Sequence, residues 1–466
     1  MERDLMREWL ASRIVFPLYE RLSGHSFWSD YLELKDRQWL PREELLDRAF
    51  RKLRELLAHS YQNVPYYGEL FQEAGIRPMD VKELSDLSLV PITTKADLRR
   101  NFPHNVTARG VREAQCRKGQ TSGSTGLPFE FYSDLEHMDG VRSSYLLFCS
   151  WSGIGPWLTR VVIGNPPHFY SHFPTGGRFE RGVRRVLLGD KFVRIGGHDL
   201  TLAGYVTHSE RFRRWGPHYL LSFPSYADRL AKQIIEDGVE LPAYPRVFVS
   251  SGETLTELDR ELIAEAFRCE VINQYGSLET SYVAQTCPDN PDLLHVNIER
   301  AFVRVVRDDG TDAGPGEMGR VVITDLANCV MPFINYDTGD WGVAGDTCTC
   351  GRGLPTLERL EGRTAEVIRT PSGKVVASST LGPLLVDVWE TLPALWEYQA
   401  VQIAGDRVVL KMVPGPGYTG KIEKKLARGL EEFLGDGMHV DVEPVKRIET
   451  ESSGKRLIIK SHLEGH

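Results

Sequence analysis

Apolar residues recur at three- and four-residue spacing along EELLDRAFRKLRELLAHSY, residues 43–61, which predicts an amphipathic helix in a helical region covering roughly 1–60. NVPYY (63–67) ends that run at a proline. GIRPMDVKELSDLSLVPITTKADLRR (75–100) then reads as short helices broken by Pro78 and Pro91. From about 137 to 270 helical patterns alternate with short apolar runs: RVVIG (160–164), YLLSF (219–223), RVFVSSGE (246–253) and EVINQYG (270–276). Such alternation predicts βαβ units and a mainly parallel sheet. Ligands in these sheets gather beyond the carboxyl ends of the strands. Gly252 and Glu253 sit at one such end; Asn273, Tyr275, Gly276 and Ser277 lie at another. Between about 295 and 345 apolar and polar residues alternate around Gly- and Asp-rich turns, which predicts antiparallel hairpins. After RLEGRTAEVIRTPSGKVV (359–376) the chain reads as a smaller α+β unit of domain size. The fold class expected is therefore α/β. A large N-terminal domain (1–362) of mixed sheets, flanking helices and a β-hairpin subdomain precedes a small α+β C-terminal domain (363–466).

A length of 466 residues agrees with about two to three domains. The net charge of −8 lacks the basic footprint that nucleic acid requires, so no nucleic-acid partner is expected. The Arg-rich stretch at 178–194 reads as a solvated helix face. MERDLMREWL has no apolar signal-peptide core, and no apolar run reaches the roughly 18 residues of a membrane span. A cytoplasmic location without membrane attachment is expected. Seven scattered cysteines, an odd number, fit reduced thiols better than a disulfide framework.

The densest cluster of small and hydroxylated residues is GQTSGSTGLPFEFYSD, 119–134. A surface loop is the plain reading. An anion cradle is the sharper one, because glycines admit close backbone approach while N–H groups and hydroxyls face phosphate oxygens. The pattern is not GxxxxGK[ST], since no Lys follows Gly126, so a P-loop kinase or GTPase is not expected.

Four further stretches follow in order: NQYGSLET (273–280), INYDTGDWG (334–342), EGRTAEV (361–367) and ETESSGKRLIIK (449–460). With the loop and with LLAHSYQNVPYYGELFQEAGI…DLSLVPITTKADL (56–98), they resemble the adenylate-forming acyl/aryl-CoA synthetase superfamily. The nearest branch is the phenylacetate–CoA ligase-like and capsule-biosynthesis one. The likeness spans essentially the whole chain.

The resemblance implies two steps. A carboxylate attacks the α-phosphate of ATP to give an acyl-adenylate and pyrophosphate, and a thiol or amine then displaces AMP. Negative charge grows on phosphorus, so Mg²⁺, a Lys and backbone N–H groups are needed to stabilise it. By that resemblance Thr121, Ser122, Gly123, Ser124, Thr125 and Gly126 form the phosphate loop. Glu279 binds Mg²⁺, Tyr275 stacks on adenine, Asp340 holds the ribose hydroxyls, and Arg363 contacts ribose or phosphate at the hinge. Gly252, Glu253, Asn273, Gly276 and Ser277 complete the nucleotide site. Lys455 is the catalytic Lys of a mobile C-terminal domain. His198 and Tyr226 fall where the family builds its acyl pocket. The expected partners are a carboxylic acid, an acceptor (coenzyme A, an amine or a carrier-protein thiol) and a second copy of the chain.

The chain departs from the pattern in places. Pro128 replaces the usual Lys after the loop, and Leu278 replaces a hydroxyl residue. Asp337 and Asn335 replace basic residues, and Ala365 replaces an Asp at the hinge. A nucleotide-binding scaffold that has lost catalysis is thus the alternative, with Lys455 arguing against it. Separately, Cys287, His295, Cys348 and Cys350 form C-x7-H…C-x-C, which suits a closed structural zinc site. Scattered thiols and a surface His are the alternative. A zinc enzyme centred there would need an open coordination position.

Overall fold

The computed structural model describes residues 9–121, 129–155, 159–163, 192–195, 201–214, 218–363, 367–377, 381, 395–415, 418–435, 437–450 and 456–463. The helix Arg42–Asn63 forms where the periodicity places it, burying Leu45, Ala49, Leu53, Leu56, Leu57 and Ser60 along one face. It stops because Pro65 forces Val64 out of helical geometry (φ −110°, ψ 110°), and Pro65 then opens the next helix, Pro65–Glu73. The short helix Lys95–Asn101 begins at a capping box, in which Thr94 and Asp97 satisfy each other's backbone N–H groups.

One 11-stranded sheet dominates the larger body. Its order is Ala301–Val306, Met318–Asp325, Tyr336–Ala344, Thr356–Arg363, Leu294–Val296, Ser281–Thr286, Glu270–Ser277, Val247–Ser251, His218–Ser222, Thr159–Ile163, Phe192–Ile195. From Glu270–Ser277 to Phe192–Ile195 every pairing is parallel; the remaining pairings are antiparallel. The hairpins expected around 295–345 therefore continue the parallel sheet. Leu294–Val296 and Thr356–Arg363 complete the join. The direction changes at Glu270–Ser277, whose apolar residues were legible as a strand but whose partners were not.

The helices Pro224–Glu236 and Glu257–Phe267 pack on the parallel half, around a core that includes Phe248, Ile263, Phe267, Leu230 and Ala231. A separate core, with Ile368, Val376, Ala400, Leu410, Leu426, Leu430 and Ile459, lies in the C-terminal part. There the four-stranded sheet runs His439–Pro444, Arg407–Pro414, Leu395–Ala404, Ile459–Ser461, covered by helix Gly420–Leu434. Among the described residues no helix is long and apolar enough to cross a membrane.

His218, at the start of its strand, is 2% exposed and its ring lies 4.4 Å from that of Phe212. Burial pushes its pKa down to about 4. The folded value is below the unfolded one, about 6.5, so the unfolded chain binds a proton first as pH falls. Stability should fall between about pH 6.5 and 4, by roughly 2 kcal/mol at pH 5 from this group. Denaturant titrations across that window should show this slope, and His218→Gln should flatten it.

Candidate active site

Strand Glu270–Ser277 turns at Leu278–Thr280 into Ser281–Thr286. The Ser277 hydroxyl accepts the Thr280 N–H at 3.1 Å, which closes the turn. Gly276 has a packing reason to be glycine: a Cβ there would lie 1.8 Å from the Ser281 carbonyl oxygen. Glu279 projects inward from this turn and is 2% exposed. The Lys95 ammonium lies 2.8 Å from its Oε1, and the Tyr336 hydroxyl donates to the same oxygen at 3.3 Å. Burial would raise the pKa of Glu279, but Lys95 and hydrogen bonds outweigh it, so the carboxyl is held below its ordinary value.

Lys95 arrives there because residues 93–95 are stitched to the strand Tyr336–Ala344. The Thr93 N–H donates to the Asn335 carbonyl at 3.0 Å, and the Asp337 N–H donates to the Thr93 carbonyl at 2.9 Å. Sequence reasoning quoted PITTKADL yet gave Lys95 no role. The signal was available: Pro128 leaves the loop without its usual Lys, so a cation had to come from elsewhere. Tyr336, inside the quoted INYDTGDWG, was likewise missed.

The tight turn at Asp337–Asp340 is set by Gly339 (φ +76°), whose N–H donates to Asp337 Oδ1 at 2.8 Å. The Asp340 carboxylate accepts the Tyr275 hydroxyl at 2.8 Å. Tyr275 itself is 8% exposed and packs among Val283, Ala284 and Leu360. Arg363 stands opposite Asp340 across the antiparallel ladder, its side chain outside the described residues. The structure thus brings Tyr275, Asp340 and the Arg363 backbone together.

The departures have local explanations. Asp337 pairs with Arg320 at 2.9 Å, so its charge is compensated. Asn335 is fully buried, accepts from Arg304 at 2.8 Å and donates to the Val90 carbonyl at 2.6 Å; an Arg would not fit that role. Leu278 packs against the apolar cluster that includes Phe129, Phe131 and Phe333.

Thr121 ends one strand of a hairpin and pairs with Phe129, the first residue of the other. The loop between them, with Ser122, Gly123, Ser124, Thr125, Gly126 and Pro128, lies outside the described residues, as do His198, Ala365 and Lys455 and most of the 178–194 stretch. Gly252 takes φ +86° at the turn after Val247–Ser251. Asn273 joins the ladder through its N–H, which donates to Thr286 Oγ1 at 2.9 Å. Glu253 accepts the Ser225 N–H and hydroxyl, at 3.1 and 3.0 Å, and the Arg456 N–H at 3.0 Å. Tyr226 is half-buried and stacks on Phe223.

Elsewhere the ligand atoms of Cys287, His295, Cys348 and Cys350 all lie within 4.8 Å of one another. The Cys287 and Cys348 sulfurs are 3.8 Å apart, the spacing of two corners of a tetrahedron with Zn–S bonds of about 2.3 Å. His295 Nδ1 lies 3.3 Å from the Leu354 carbonyl, which fixes the tautomer and aims Nε2 at Cys350, 3.2 Å away.

No protein-family model matches the chain. It is 30% identical over 337 residues to phenylacetate–coenzyme A ligase of Thermus thermophilus, covering 71% of this chain and 72% of that one. It is 21% identical to the protein CapK of Staphylococcus aureus over 89% and 88% of the two chains. Among solved structures, 2-hydroxyisobutyryl-CoA ligase in its postadenylation state, with R3-HIB-AMP bound, gives a TM-score of 0.73 at 19% identity, over 91% of each chain. The same ligase in its thioesterification state, with 2-HIB-AMP and CoA, gives 0.60 at 19% identity over 91% and 92%.

Proposed function

This chain belongs to the phenylacetate–coenzyme A ligase-like family of adenylate-forming ligases, and we propose that it activates a carboxylic acid with ATP and passes the acyl group to coenzyme A. The carrying observation is Glu279: a buried carboxylate kept ionised next to Lys95, on the strand end that also presents Tyr275 to Asp340. In the first step an oxygen of the substrate carboxylate bonds to the α-phosphorus and pyrophosphate leaves. In the second, the thiolate sulfur bonds to the acyl carbon and AMP leaves, taking the carboxylate oxygen with it.

Each described residue has a task in this reading. Glu279 suits Mg²⁺, whose preferred ligands are hard oxygens. The metal, when bound, neutralises charge on the polyphosphate. Lys95, held beside Glu279, would supply a fixed positive charge near the phosphates in place of the Lys that Pro128 removes from the loop. Asp340, oriented by Tyr275, accepts the ribose hydroxyls. Tyr275, 8% exposed and hydrogen-bonded to Asp340, lies beside the ribose side of the site. Residues 363–466 move against 1–362, and Lys455 serves the first step. Coenzyme A stands ahead of an amine or a carrier-protein thiol because a similar solved structure holds CoA. The Cys/His cluster holds a zinc ion as a structural clip, since four protein ligands leave no coordination position for a substrate.

The test is pyrophosphate release from ATP·Mg²⁺ over a panel of aryl, fatty and amino acids. Release dependent on one acid class supports the reading; ATP binding with no release for any acid favours the scaffold alternative. Lys95→Met should lower kcat/KM in this assay roughly tenfold to hundredfold, because one fixed transition-state charge is lost. Its melting temperature should fall, because Glu279 is then left buried without its cation, so the rate is compared at a temperature where both proteins are folded.

A further inference from the structure

A second group of charges lies at the carboxyl ends of the parallel strands. Asp228 comes from helix Pro224–Glu236, Glu253 from the turn after Val247–Ser251, and Asp259 from helix Glu257–Phe267. Asp228, at 3% exposed, and Asp259, at 5%, are both buried. Arg456 enters this acidic pocket from the C-terminal part of the chain. Its backbone N–H donates to Glu253 at 3.0 Å, and its guanidinium lies 3.7 Å from Asp228. Lys232 also reaches Asp228, at 3.2 Å. Tyr398 faces the same charges, and Arg229 pairs with Glu397 at 3.1 Å across the same seam.

Arg456 is tied to both sides. The residues following it are gripped by the strand Leu395–Ala404: Gln399 donates to the Leu457 carbonyl at 2.8 Å, and the Ala400 N–H donates to the Ile458 carbonyl at 2.8 Å. On the other side it meets Glu253 and Asp259, both pushed toward the protonated form by burial, Asp259 further by the neighbouring charge of Asp228. With the seam apart, Asp228, Glu253 and Asp259 keep only partners from their own body, Lys232, Ser225 and Thr256. With it closed and no guanidinium present, the larger body would bury several carboxylates against Lys232 alone, which is costly. Arg456 thus makes closure of this seam favourable.

We propose that Arg456 is a positioning residue: docked against Asp228, Glu253 and Asp259, it holds the C-terminal unit in the arrangement that serves acid activation, and it undocks for transfer to coenzyme A. The inference rests on the proposed function, in which Lys455, its neighbour in the chain, acts in the first step. The better superposition on the postadenylation state than on the thioesterification state of the similar ligase supports it.

The test compares full-length wild type with Arg456→Ala, Arg456→Lys and Asp228→Asn. Amide hydrogen exchange is read over 224–230 and 456–461, and each half-reaction is timed separately. The first uses pyrophosphate release with the acid panel, headed by phenylacetate. The second uses ready-made acyl-adenylate of the active acid plus coenzyme A. In Arg456→Ala exchange should rise in both segments, and acid activation should slow about 30-fold or more, as when one partner of a desolvated interfacial charge pair is truncated. Transfer from the ready-made adenylate should stay within about twofold. Arg456→Lys, which keeps the charge, should recover part of the first rate. Unchanged exchange in Arg456→Ala would overturn the docking. Equal slowing of both half-reactions, or of neither, would overturn the positioning role. Wild type silent with every acid would instead refute the activation reading and leave the docking to be judged by exchange.

Discussion

Glu279→Gln should lower kcat/KM for carboxylate-dependent pyrophosphate release about a thousandfold, the upper range for losing one preorganised electrostatic contact in a transition state. Glutamine keeps the size of the side chain and can still accept from the Tyr336 hydroxyl. It loses the charge. A buried neutral amide oxygen is a poor ligand for Mg²⁺, which dehydrates reluctantly and favours carboxylates. ATP affinity should fall far less than the rate, because the Asp340 and Tyr275 side of the site is untouched. Tyr336→Phe separates charge from hydrogen bonding: it removes the 3.3 Å contact and leaves the carboxylate ionised, so its loss should be small beside that of Glu279→Gln. Steady-state kinetics over ATP concentration, with binding followed independently, read this out. A Glu279→Gln protein within tenfold of wild type would contradict the assignment.

Removing the proposed zinc clip should have the largest effect on stability. Cys287, Leu293 and Cys348, with half-buried Cys350, form a core too small to hold its segments by apolar burial. Yet they join the end of strand Ser281–Thr286, the strand Leu294–Val296 and the turn after Tyr336–Ala344. Those are the strands that run on from Glu279 and Asp340. Binding of a structural zinc contributes directly to folding free energy. Metal analysis of the purified protein should find about one zinc per chain, and Cys348→Ser should abolish it and lower the melting temperature by about 5 °C or more. A metal-free native protein whose melting is indifferent to chelator would contradict the clip.

Residue patterns made much of this legible. The Arg42–Asn63 helix followed from apolar spacing, and the parallel strands from short apolar runs ending in small polar residues. Glu279 and Asp340 stood out through the resemblance of their ordered motifs to the family; a carboxylate after a strand end or in a turn fits a cap or a turn equally well when taken alone. Lys95 did not stand out, since its role depends on a contact 184 positions away, made by backbone pairing of Thr93 with Tyr336. Sheet continuity was equally hidden, because pairing between Leu294–Val296 and Thr356–Arg363 is set by long-range register and leaves no local signature. Glu253 was read as a nucleotide contact from its place at a strand end; in the structure its carboxylate is taken by Ser225 and Arg456, partners that no local pattern announces. The departures at Asn335 and Asp337 exchange basic residues of the family pattern for neutral and acidic ones. Their buried and ion-paired surroundings show that these positions serve the fold.

The most direct measurement follows an oxygen atom. An acid from the responding class, labelled with heavy oxygen in its carboxylate, is incubated with the protein, ATP, Mg²⁺ and coenzyme A, and the AMP is weighed by mass spectrometry. If the carboxylate attacks the α-phosphorus, one labelled oxygen appears in AMP for each thioester formed, and none appears in pyrophosphate. Unlabelled AMP, or ADP and phosphate as the nucleotide products, would contradict an acyl-adenylate and with it the account of this site.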